Sequence, residues 1–138
     1  MPACTSAAHK PSRLFNMTRQ EKRALMLLKS LIFHYHGLDE DEKALLDESA
    51  TQYDAQRELD WANAFIAEDF ISAFERAREF LNNVIGILPK EKKLDHLIAV
   101  WQDNHKKGYM TEMEATAMIN LAKDWDIQTE LMERVREG

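Results

Sequence analysis

Cysteine is almost missing from this chain: Cys4 stands alone among 138 residues. No disulfide can close within the molecule, and a reducing, cytoplasmic setting suits it best. Turn formers are scarce too, with four glycines and three prolines. Beside abundant Ala, Leu, Glu, Lys and Met, that shortage argues against strands and predicts helices. No apolar run approaches the roughly 18 residues that would suggest a membrane span. The formal charge of −6 lacks the basic excess that displaces counterions from nucleic acid, so nucleic-acid binding is not expected. Also lacking are a glycine-rich phosphate loop, a His-Glu-x-x-His and any Glu-x-x-His pair, which removes nucleotide, zinc-protease and di-iron bundle readings. Nothing marks an enzyme.

What is present is helical periodicity. The opening "MPACTSAAHKPSR" has no basic-then-apolar order of a secretory signal and reads, through residue 17, as a tail ahead of one domain over 18–138. Residues 1–30 hold six Lys or Arg against Glu21 alone, whereas the remainder is strongly acidic. The basic start suits a solvated first helical turn, with peripheral contact to an anionic membrane or to an acidic partner as the other uses. Thr18 and Glu21 have capping-box spacing. Ala24, Leu25, Leu28, Leu31, Ile32 and Tyr35 then recur at helical intervals, and Leu27 and Phe33 widen the face, so this helix should be central. Asp39 with Glu42 opens a second helix. Residues 56–88 continue the apolar period through Phe65, Phe70, Phe74 and Phe80, with a break expected near Ala67 to Asp69 and Asp69 capping the second piece. Pro89 starts another helix, Thr111 with Glu114 opens the next, and Ile127, Leu131 and Val135 mark a short terminal one. The expected architecture is all-α, a compact bundle of about six to seven helices.

Two stretches correspond. "DEDEKALLDESATQYD" (39–54) and "TEMEATAMINLAKDWD" (111–126) share Glu40 with Glu112, Glu42 with Glu114, Ala50 with Ala122 and Asp54 with Asp126. Each follows a helix that ends in a histidine-containing turn with glycine, "HYHG" and "HKKG". The matched positions carry the cap, the first-turn acids, the buried face and a late aromatic, which suggests two related helix-turn-helix units about one core. A glycine turn leading into an acid-rich helix start, twice in an all-helical chain of this size, resembles the TerB-like tellurite-resistance family, whose turns typically read "aDG-x-[IL]-x-x-x-E". Gly37, Leu38 and Glu42 match in the first turn; Gly108, Met110 and Glu114 match in the second, with Tyr109 as an inserted residue. The likeness covers roughly residues 20–135. It implies a helical module linked to stress response and metal resistance. The family's acid before glycine is His36 in one turn and Lys107 in the other, which removes a ligand if that acid holds a cation in relatives.

The acidic turns are the one candidate metal site: Asp39, Glu40, Glu42, Glu112 and Glu114, for a weakly held divalent cation if the two turns face each other. His34 and His36 point about 200° apart on a helix and do not converge. Acids in a first turn and a histidine at a helix end are also what the helix dipole favours, so a plain helix corner explains "HYHGLDEDE" well. The same caps-and-dipole reading weighs against acid/base catalysis by these glutamates. Tyr109, Met110 and Met113 form a candidate docking surface. The expected function is a non-enzymatic stress-response or metal-resistance accessory that acts through an unidentified protein partner, without a cofactor. The alternative is a divalent-cation-binding or sensing protein.

Overall fold

Thr18 is the N-cap of the first helix, its hydroxyl accepting from the Glu21 N–H at 3.1 Å. The computed structural model describes residues 17–34 and 38–137, and among them seven helices and no strand are found. They are α1 (Arg19–Phe33), α2 (Glu40–Gln52), α3 (Gln56–Ala67), α4 (Ala73–Val84), α5 (Lys90–Lys106), α6 (Glu112–Asp124) and α7 (Gln128–Glu137). Gly37, Tyr35, His36, Cys4 and all of the expected tail except Met17 lie outside the described residues. Met17 packs into the core. No described helix is long and apolar enough to cross a membrane.

The central helix is the one the sequence marks. Every residue of α1 from Ala24 to Phe33 is buried, and α1 touches α2, α3, α4, α5 and α6. A helix apolar on all sides can only be an axle around which the others pack. Two of its polar residues depart from expectation. Lys29 is not part of a solvated basic turn: it is 3% exposed, its ammonium 2.8 Å from Asp103 and donating at 2.8 Å to the Ser49 hydroxyl. Glu21 does not complete a capping box. Its carboxylate turns to Lys92 and to His96, each at 3.5 Å.

The break after α3 falls near Ala67 to Asp69, where a stretch too long for one helix is expected to divide, but Asp69 caps no helix. Its carboxylate accepts from the Ile71 N–H at 3.1 Å and the Ser72 hydroxyl at 2.9 Å, closing the turn itself. The turn takes Phe70 out of the core although it falls on the apolar period: Phe70 is 64% exposed and its neighbour Ile71 97%.

α2 and α6 are alike at both ends. Both run 13 residues from a complete capping box, Asp39 with Glu42 and Thr111 with Glu114. Both stop at an aromatic C-cap, Tyr53 or Trp125, followed by an aspartate in the left-handed region, Asp54 at φ 53° and Asp126 at φ 56°. The next N–H then returns to the helix: Ala55 to the Ala50 carbonyl at 2.7 Å, Ile127 to the Ala122 carbonyl at 2.9 Å. This is a Schellman termination with aspartate in the usual place of glycine.

Candidate functional site

The turn between α5 and α6 is built from Lys107, Gly108, Tyr109, Met110 and the cap Thr111. Lys107 is the last α-region residue, and Gly108 at φ 87° reverses the chain. A Cβ there would meet nothing within 4 Å. It is therefore the left-handed backbone, not crowding, that requires glycine. The reversal carries Tyr109 across to the other acidic turn, where its hydroxyl donates to Asp39 Oδ2 at 2.6 Å. That hydrogen bond to a carboxylate, together with burial and the negative charges of Glu42, Asp39 and Glu114, holds the phenol protonated well above its ordinary range.

Lys107 turns inward. Its ammonium donates to Glu42 Oε2 at 2.8 Å and to Glu114 Oε2 at 2.7 Å, and all three side chains have 0% exposure. The second oxygen of each carboxylate closes a capping box: Glu42 Oε1 accepts from the Asp39 N–H at 3.2 Å, Glu114 Oε1 from the Thr111 N–H at 2.9 Å. One ammonium thus joins two helix N-termini through their own caps. The rings of Phe33 and Tyr109 complete its surroundings, 5.0 and 4.5 Å from the nitrogen, at distances where an aromatic face attracts a cation. Charged hydrogen bonds of this length in a dry site are strong and directional.

The five acids considered as metal ligands therefore separate. Glu42 and Glu114 converge, but on Lys107. Asp39 takes the Tyr109 hydroxyl at one oxygen and caps α2 with the other. Glu40 is 93% exposed and stands 3.8 Å from Lys43. Glu112 is exposed beside Met113 and Phe74. Among the described residues no three His, Cys, Asp or Glu side chains are gathered as a metal-binding group. His34 makes a local contact, its Nδ1 2.6 Å from the Ser30 carbonyl. Of the docking residues, Met113 is open to solvent, Tyr109 is partly exposed, and Met110 is half-buried against the core.

Three buried polar groups were not singled out as functional from the sequence. Lys107 was visible only as a departure from an acid-Gly pattern. Lys29 could have been flagged as one charge in the otherwise apolar "ALMLLKSLIF". His96 is fully buried on α5, its Nε2 3.5 Å from Glu21. Burial, outweighing the nearby Glu21 carboxylate, lowers its pKa to about 4, so the imidazole is neutral at neutral pH.

Comparison with family models, with curated proteins and with solved structures returns no match.

Proposed function

We propose that the protein is a non-enzymatic helical module that works by docking on a protein partner. The observation that carries this reading is the closed state of its acidic pair. Glu42 and Glu114 each give one oxygen to a cap N–H and the other to Lys107, with no surface left to solvent. Carboxylates held this way cannot meet a substrate, and acid/base catalysis requires hydrogen-bond reach to one. Their role is to fix one helix corner against another. Meanwhile Phe70, Ile71, Ile87 and Met113 stand exposed, apolar side chains of the kind that partner surfaces use. The stress-response or metal-resistance setting rests on the TerB-like resemblance alone.

The second reading, a divalent-cation-binding or sensing protein, is favoured by the meeting of two acidic helix starts at one point. That point suits positive charge, and the chain's own ammonium is there. Thermal-shift titration with calcium, zinc and manganese separates the two. No change in midpoint is expected. Stabilisation of several degrees that vanishes in Glu42→Gln with Glu114→Gln would replace the docking module with the sensor.

A further inference from the structure

The groove between α5 and α7 has the chemistry of a binding site, and it contrasts with the rest of the molecule. It encloses about 490 Å³, a volume that fits a small ligand or a few side chains. Ile98, Trp101 and Val135 give it apolar walls, all half-buried against the core. Lys106 and Arg134 give it charge, His105 and Gln102 add polar groups, and no acidic residue lines it. On a chain of net charge −6, an indole-lined groove whose charged groups are both cations is a local inversion of sign. The cations are also loosely committed. Lys106 reaches Glu48 at 3.5 Å with both side chains more than half exposed, a pair worth little in water. Arg134 makes no ion pair among the described residues, and His105 lies against the Trp101 ring with centroids 6.3 Å apart. Tryptophan and arginine, both of which line this groove, are among the residue types enriched in interface hot spots.

We infer that this groove docks an acidic, apolar-interleaved peptide segment of a partner protein, with Trp101 receiving an apolar side chain and Arg134, Lys106 and His105 receiving its carboxylates. Charge complementarity selects this occupant. The chain's own residues 1–16 carry Lys10 and Arg13 and no Asp or Glu, so they are mismatched to a basic rim. The inference rests on the docking-module reading and names the partner's chemistry.

The probe is a fluorescein-labelled eight-residue peptide in which Leu alternates with Glu, followed by anisotropy; its control replaces each Glu with Lys. The acidic peptide should bind saturably, the lysine control at least about tenfold more weakly, and raised salt should weaken binding as rim charges are screened. Arg134→Glu should reduce affinity by about tenfold or more with unchanged circular dichroism, since Arg134 is exposed, and Trp101→Ala should do the same through the apolar contact. Equal binding of the two peptides, or indifference to Arg134→Glu, overturns the inference. So does a dimer of the chain alone, seen in sedimentation velocity and abolished by Arg134→Glu, which would assign the groove to a second copy. The metal titration reads Glu42 and Glu114, not this groove, so failure here and failure of the docking-module reading are separate results.

Discussion

Replacing Lys107 with methionine keeps an unbranched side chain one atom shorter and deletes its charge. Glu42 Oε2 and Glu114 Oε2 both contact one nitrogen, at 2.8 and 2.7 Å, so they lie no more than about 5.5 Å apart. At an effective dielectric of about 20, two unit negative charges at that separation repel by roughly 3 kcal/mol. Breaking a buried ion pair from one side generally costs about 3–5 kcal/mol, because the remaining charge stays dehydrated. Lys107→Met should therefore lose about 3–5 kcal/mol. That is a large part of the roughly 5–15 kcal/mol that holds a domain together, and it lowers Tm by on the order of 10 °C or more. Urea unfolding followed by circular dichroism and tryptophan fluorescence measures the loss. A triple variant, Lys107→Met with Glu42→Gln and Glu114→Gln, keeps the side-chain shapes and the cap acceptors but removes all three charges. It should recover most of the stability, since neutral replacement of a buried charged triad is often tolerated. A cost below about 1 kcal/mol for Lys107→Met, or an equal cost in the triple variant, would show that the electrostatic argument misjudges this corner.

Acid should weaken the fold through His96. Its folded pKa is lowered to about 4, from an ordinary value of 6.5. Between those values the unfolded chain takes up a proton that the folded chain refuses, so stability present above pH 6.5 is lost as pH falls toward 4, by about 3 kcal/mol in all. Urea midpoints of His96→Phe between pH 7 and 5 should fall less than those of the natural protein; parallel curves would remove His96 as the cause. Asp126→Gly should stabilise by roughly 0.5–1 kcal/mol, because φ 56° strains any side chain but suits glycine, and a lower Tm would mean that the aspartate side chain contributes something the backbone does not reveal. Tyr109→Phe removes the donor to Asp39 and should lower Tm, measurable by thermal denaturation; no loss would make that bond incidental. Lys107→Ala opens the space between Glu42 and Glu114, and millimolar manganese should raise its Tm while leaving the natural protein unchanged; a flat response in both would rule out the corner as a latent cation site.

Local rules made much of this fold legible. Capping boxes at Asp39 and Thr111 and the apolar period of α1 involve residues within one helical turn of each other, where hydrogen-bond geometry leaves few choices. The misreadings have a common physical origin. Glu21 has the spacing of a capping box, but its carboxylate finds Lys92 and His96 on α5, and a charged partner competes well with a single backbone N–H. Phe70 falls on the helical period by count, but the turn closed by Asp69 rotates it out of register. Lys29 reads as surface because lysine is rarely buried without a partner, and its partner Asp103 is 74 residues away on another helix. Lys107 is the sharpest instance. Each acidic helix start, taken alone, needs only its own cap. Once the two are brought to the same place, their outer oxygens need a cation between them, and the residue that follows α5 supplies it. An acid at position 107 would put a third negative charge into that space. A positive charge between them is therefore what lets both glutamates be buried in ionised form, and the role of Lys107 becomes apparent only when the two turns are considered as one site.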